Sequence, residues 1–241
     1  MSSAPHLAED GRQPPRRILY GRRRGKPPRP GRQALLEARL PALRLELDDP
    51  VPGSLEPKAL FGGRAGSVWL EIGFGAGEHL AWQLERHPDI GIIGAEPYLA
   101  GVARLVGGLD QATLPRLRLL LDDGRLLLAA LAPASIARLF TLFPDPWPKA
   151  RHKKRRLVQP ETVAAAARVL APGAEWRLAS DDMDYVRWML ACLTASPHFE
   201  WLATGAEDWR RRPADWPETR YEAKALSQGR KPIYLRFRRR A

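Results

Sequence analysis

From Val68 to Ala195 short apolar runs alternate with helix-patterned stretches, and few folds accommodate that alternation. The apolar runs are Val68 to Ile72, Ile90 to Glu96, Leu117 to Leu121, Leu139 to Phe143 and Glu175 to Ala179. Between and after them lie Glu78 to Arg86, Leu99 to Leu109, Gly124 to Leu131, Pro160 to Leu170 and Met183 to Ala195, which read as helices. Strand and helix in repetition predict an α/β fold, a mostly parallel sheet with helices on both faces. Two further strand candidates, Phe199 to Ala203 and Ile233 to Arg238, are separated by a long segment rich in Trp, Arg and Pro. In the last helix Met183, Val186, Met189, Leu190 and Leu193 form one apolar stripe, so its methionines are expected in the core. No internal repeat is visible.

At 241 residues the chain suits one sizeable core. The net charge of +12 is unevenly placed: Arg12 to Arg44 holds eleven Arg or Lys against the single acid Glu37. Such an arm is either a solvated tail or a partner site for a polyanion, and the imbalance favours the polyanion. Pro14, Pro15, Pro27, Pro28 and Pro30 break any helix that could lie on lipid, whereas nucleic acid tolerates an extended basic strand. Gln33 to Leu47 then reads as an amphipathic helix, with Leu36, Leu40, Leu43 and Leu47 at helical spacing. Cys192 is the single cysteine, which excludes an internal disulfide and points to a cytoplasmic protein. Arg16 and Arg17 lack a following apolar h-region, and no stretch has transmembrane length, so no membrane is expected.

The first strand runs into Glu71-Ile72-Gly73-Phe74-Gly75-Ala76-Gly77-Glu78. Glycines there let the backbone turn sharply and approach a ligand before the helix starts. A dinucleotide fingerprint would have a glycine where Glu78 stands, while GxGxG after an acid is the pattern of S-adenosylmethionine sites. Glu96 closes the second strand, where a carboxylate can accept from both ribose hydroxyls. Asp122 and Asp123 follow the third; Asp123 is expected to take the adenine amine and Asp122 to cap the next helix. Seven strands then fit a Rossmann-like class I methyltransferase sheet, whose final pair is an antiparallel hairpin.

The fourth strand leads into Phe143-Pro144-Asp145-Pro146-Trp147-Pro148-Lys149-Ala150-Arg151-His152-Lys153-Lys154-Arg155-Arg156. Its prolines hold an extended loop presenting a carboxylate, an indole and then six cations, a set that suits a flipped base and its phosphates. The bland alternative is a proline loop with a solvated basic turn and Trp147 capping the core. Through EIGFGAGE, PDPWPKARHKKRR, the SDD after the fifth strand and TRYE near the end, the sequence resembles the bacterial TrmB-type tRNA (guanine-N7-)-methyltransferases from about Tyr20 onward. The resemblance implies methyl transfer from S-adenosylmethionine to N7 of guanine-46 in the tRNA variable loop. Charge and periodicity divide the chain into a basic arm and short helix over 1–50 and an expected methyltransferase catalytic domain over 51–241. The resemblance places Glu71, Gly73, Gly75, Gly77, Glu96, Asp123 and Asp145 around the cofactor, and Lys149, Asp181, Thr219, Arg220, Tyr221 and Glu222 against tRNA. No metal is implied, and the chain is expected to be a monomer or homodimer. Ala223 and Lys224 stand where many relatives have Arg-Gly.

Guanine N7 carries an in-plane lone pair, so no proton has to leave before it attacks and no strong base is needed. Alignment and negative potential facing the purine suffice, and Asp145 is the expected catalytic residue. Guanine N1–H and N2–H suit a carboxylate such as Asp181 or Glu222, Lys149 suits O6 or a phosphate, and Tyr221 or Trp147 suits stacking. His152 is expected to touch backbone or phosphate, its protonation disfavoured by the surrounding cations. Two rivals remain: an amino-group methyltransferase, whose loop would carry a second proline between Asp145 and Trp147, and an RNA-binding protein with a dead cofactor pocket.

Overall fold

The computed structural model describes residues 29–47 and 51–241. Seven strands form one sheet: β1 Ser67–Ile72, β2 Ile90–Ala95, β3 Leu117–Leu120, β4 Ile136–Leu142, β5 Leu170–Ser180, β6 Phe199–Trp201 and β7 Ile233–Arg239. Their spatial order is β3-β2-β1-β4-β5-β7-β6. The first five run parallel, and β7 lies antiparallel between β5 and β6. The chain steps outward from β1 to β3 and then returns to the other side of β1 as β4, so a crevice opens at the carboxyl ends of β1 and β4.

The helices are α1 Pro30–Leu43, α2 Glu78–Arg86, α3 Leu99–Gly108, α4 Gly124–Ala130, α5 Pro160–Val169, α6 Met183–Thr194, α7 Glu207–Arg210 and α8 Arg220–Ser227. Alternation along β1 sends Val68, Leu70 and Ile72 into a core with residues of α4, α5 and α6. Trp69 points the other way, into a second core with Leu36 and Leu43 of α1, Leu80 and Leu84 of α2, and Val102, Leu105 and Val106 of α3. Both faces are thereby covered, as a parallel sheet requires.

Arginines close several helix ends. Arg39 donates to the carbonyls of Val106 and Leu109 at 2.9 and 3.0 Å after α3. Arg116 reaches Leu84 and His87 at 2.7 and 2.8 Å after α2. Arg168 reaches Leu128 and Leu131 at 2.6 and 2.8 Å after α4. Terminal carbonyls lack intrahelical partners and carry partial negative charge, so a guanidinium fork satisfies both needs.

Several boundaries differ from the sequence expectation. α1 begins at Pro30 and stops at Leu43, because Arg44 turns extended and bridges Leu119 beside β3, leaving Leu47 outside the helix. β4 ends at Leu142 because Phe143 adopts the left-handed region at φ 51. β5 extends back to Leu170 through a register irregularity opposite β4. Met183, at the first turn of α6, is exposed and drops out of the apolar stripe, while Tyr185 is buried and its hydroxyl accepts from Val158 N at 3.1 Å. β6 stops at Trp201, and the segment after it holds α7 and α8, neither anticipated. The basic arm lies almost wholly outside the described residues.

Candidate functional site

A cleft of about 720 Å³ opens at the crevice between β1 and β4, lined by the glycine loop, the end of β2, the start of α4, the proline loop and the start of α8. Gly73, Gly75 and Gly77 all have positive φ, at 79, 58 and 77. A Cβ on Gly77 would sit 2.6 Å from Leu105, and one on Gly101 would sit 2.1 Å from the carbonyl oxygen of Gly75. The loop therefore lies directly on α3, a fit only glycine allows.

Glu96 is buried just beyond β2, and both its oxygens hold main chain: Oε2 accepts from Gly75 N at 2.8 Å and Oε1 from Tyr98 N at 2.9 Å. Each carboxylate oxygen has a further lone pair, so it can accept from a ligand as well. Burial pushes this carboxyl above the usual range against the pull of the two amides, and the charges of Asp145 and Glu71 push the same way. Glu71, at the end of β1, accepts from His79 Nδ1 at 2.8 Å. Asp145 is exposed at the cleft, held in a loop whose Trp147 has φ 44.

The two acids after β3 exchange the helix role expected of them. Asp123 is the N-cap of α4, accepting from Arg125 N at 3.0 Å, and its carboxylate also pairs with the Arg125 guanidinium. Asp122 instead accepts from Asp123 N at 2.7 Å and lies outside the cleft. Register decides it, because a cap must be the last extended residue and Gly124 is already helical. Asp123 lines the cleft while capping.

Thr219, Arg220 and Tyr221 line the cleft; Lys149, Asp181 and Glu222 do not. Thr219 caps α8, accepting from Glu222 N at 3.2 Å. Glu222 is buried, accepts from the Tyr234 hydroxyl and pairs with Arg212 at 3.2 Å. Asp181 pairs with Arg230. Arg220 pairs with Glu78 at the start of α2, and its backbone N donates to the same carboxylate at 3.0 Å. Lys149 is exposed before a 3-10 turn over Ala150–Arg155.

The basic run is not uniformly a solvent-facing strip. Arg156 is fully buried: its Nε donates to the carbonyl of Pro146 at 2.8 Å, its Nη2 to Asp184 at 2.5 Å, and its guanidinium lies 4.8 Å from the Tyr185 ring centroid. Lys153 pairs with the same Asp184 at 2.9 Å. Arg155 lies over the Trp147 ring, and the Trp147 and His152 rings meet edge to face at 5.9 Å. Desolvation, then Arg155, Arg151 and Lys149, lower the His152 pKa. Arg151 and Lys154 are exposed.

Sequence reading passed over several cleft residues: Glu78, His79, Tyr98, Arg104 and Arg125. One signal was available. Thr219-Arg220-Tyr221-Glu222 has the spacing of a capping box, which marks a helix start where only a loop was expected. His79 gave no such signal, since its partner Glu71 lies on another element.

A doubly wound sheet with this glycine loop, strand-end carboxylates and a cleft at the switch point defines the class I methyltransferase fold. A 16S rRNA methyltransferase, KamB, superposes with a TM-score of 0.54 at 14% identity, over 82% of this chain and 96% of that one. The 16S rRNA (adenine(1408)-N(1))-methyltransferase of Catenulisporales acidiphilia gives 0.50 at 16%, over 83% and 97%. Residues 65–235 match the family described as putative methyltransferase. The tRNA (guanine-N(7)-)-methyltransferase of Rhodospirillum rubrum is 54% identical over 92% of this chain and 88% of its own length. That of Chelativorans sp. (strain BNC1) is 48% identical over 91% and 94%. The chain belongs to the tRNA (guanine-N(7)-)-methyltransferase family.

Proposed function

We propose that the chain transfers the methyl group of S-adenosylmethionine to N7 of a guanine in tRNA, at position 46 of the variable loop, and works in the cytoplasm. The observation that carries this reading is the carboxylate-lined cleft at the β1–β4 crevice, with the proline loop and the α8 start at its mouth. The residues present fit the donor: Glu71, Glu96 and Asp145 line one cleft, a set of carboxylates suited to ribose hydroxyls, an ammonium and a sulfonium.

S-adenosylmethionine, when bound, supplies a methyl carried on positive sulfur. That methyl would pass in line to the guanine N7 lone pair, with the C–S electron pair staying on sulfur. The purine ring takes up the positive charge. The chain's part is alignment and potential. Glu96 holds the glycine loop and the ribose, and Asp145 faces the purine as its charge grows. Tyr221, 67% exposed at the cleft, offers a ring on which the base stacks. Glu222 serves by holding α8 to Tyr234, which places Thr219, Arg220 and Tyr221. Exposed Lys149, Arg151 and Lys154 meet phosphates, and Asp181, one residue before the Asp182 cap of α6, would exchange its pair with Arg230 for guanine N1–H and N2–H. The domain assignment stays as arm over 1–50 and catalytic unit over 51–241, although α1 packs into the second core.

The test is incubation with labelled S-adenosylmethionine and bulk tRNA, followed by nucleoside mass spectrometry. Label in 7-methylguanosine is expected. Label only in a base methylated on an exocyclic amine, or no incorporation, overturns the reading.

A further inference from the structure

His79 is buried in α2 beside Phe140 and Trp216, with ring centroids 4.5 and 6.2 Å away. Its Nδ1 lies 2.8 Å from Glu71 Oε2, and its Nε2 lies 3.0 Å from Gln83 Nε2. The same Gln83 nitrogen lies 3.0 Å from the carbonyl oxygen of Asp215, in the loop that leads to Thr219.

Donors and acceptors along this chain can be ordered from its far end. A backbone carbonyl only accepts, so the amide nitrogen of Gln83 must face Asp215. That nitrogen has two hydrogens; one goes to Asp215 and the other to His79, whose Nε2 is therefore an acceptor. The imidazole hydrogen then sits on Nδ1 and donates to Glu71. Reversing the amide would set Gln83 Oε1 against the Asp215 carbonyl. As it stands Gln83 Oε1 is buried and has no hydrogen-bond partner among the described residues, so this orientation is kept at the expense of one bond.

We infer that His79 and Gln83 are positioning residues for methyl-donor binding, fixing the Glu71 carboxylate at the end of β1 through a hydrogen-bond chain whose direction is set by the Asp215 carbonyl. The inference rests on the methyltransferase reading. Glu71 lines the cleft, and with Oε2 held by His79 its other oxygen is the acceptor presented to the donor. The chain also runs from the cofactor end to the loop before α8, so the segment that meets tRNA and the acid that meets the donor share one support.

Two substitutions of His79 separate the roles of its nitrogens. His79→Asn sets an amide nitrogen near the place of Nδ1 and keeps a donor for Glu71, while His79→Gln reaches the place of Nε2 and loses it. Calorimetry on the full chain gives S-adenosylmethionine affinity, and thermal unfolding without ligand gives stability. His79→Gln is expected to weaken binding about tenfold, the loss of one hydrogen bond to a charged acceptor. His79→Asn recovers most of that loss. In a Glu71→Ala background the His79→Gln change alters affinity by less than about twofold, since uncoupled effects would simply add. Gln83→Met, which removes the donor to His79, follows His79→Gln and carries the test if the histidine variants do not fold. Unchanged affinity in folded His79→Gln, or a full tenfold loss that persists without Glu71, overturns the inference. Absence of binding by the wild-type chain overturns the methyltransferase reading itself.

Discussion

Glu96 supports two main-chain amides and is held above the ordinary carboxylate range, so its behaviour is decided by what burial costs it. Glu96→Ala should weaken S-adenosylmethionine binding by roughly 2–4 kcal/mol while leaving tRNA affinity nearly intact, as separate titrations of the two ligands would show. The pH dependence has opposite signs for stability and binding. In the folded chain this carboxyl keeps its proton to a higher pH than in an unfolded chain, so ionising it costs stability and acidification returns that cost. In the proposed role Glu96 accepts from the ligand as a carboxylate, so affinity should fall as pH drops into the upper carboxylate range. Glu96→Gln should flatten that part of the profile, and an unchanged profile would show that another group titrates. Asp145→Asn should lower the single-turnover rate far more than tRNA affinity, because in the proposed mechanism its charge matters as the purine becomes cationic. A wild-type rate at saturation would leave Asp145 a loop residue. At this scale the sequence was legible where acids end strands, as at Glu71 and Glu96. It was not legible at Asp122 and Asp123, where one residue of register decides which acid caps α4.

Most elements expected from periodicity formed close to their expected limits, α1 and β5 apart, because apolar spacing and glycine or proline punctuation act locally. α2 runs from Glu78 to Arg86 as its pattern predicts. α7 and α8 escaped because their segment is charged and Trp-rich, with few apolar positions to show a period, and because α8 is held by the distant Tyr234. The 3-10 turn after the proline loop shows the other limit: sequence reads six cations as one surface, whereas the fold buries Arg156 and pairs both it and Lys153 with Asp184. Arg156→Lys should therefore lower turnover by loosening the Pro146 carbonyl while leaving the salt dependence of tRNA binding unchanged. Replacing exposed Arg151 and Lys154 with Ala should reduce the slope of log affinity against log salt by about 0.7–0.9 for each phosphate that is no longer neutralised. Binding titrations across a salt series check both. Full turnover in Arg156→Lys would show that the hold on the Pro146 carbonyl does not matter for catalysis.

For the molecule as a whole, the net charge of +12 overstates what is available to RNA, because Arg39, Arg116 and Arg168 are turned onto helix-end carbonyls. The arm over residues 1–28 holds seven Arg or Lys against two acids, so a large share of the long-range attraction is expected from it. Deleting residues 1–28 should lower the salt slope and raise KM for tRNA with little change in kcat, which steady-state kinetics at several ionic strengths would show. Loss of kcat instead would mean that the arm helps place the guanine. The position of β7 has a different sort of consequence. It is the last strand in chain order, yet it lies between β5 and β6 and buries Leu235 and Phe237. A ribosome delivers the chain from its N-terminus, so throughout synthesis of the first 232 residues β5 has an open apolar flank and β6 has no neighbour in the sheet. Closure of the sheet must await the arrival of Ile233–Arg239, and a nascent chain stalled before that point would present a bare strand edge of the kind chaperones occupy.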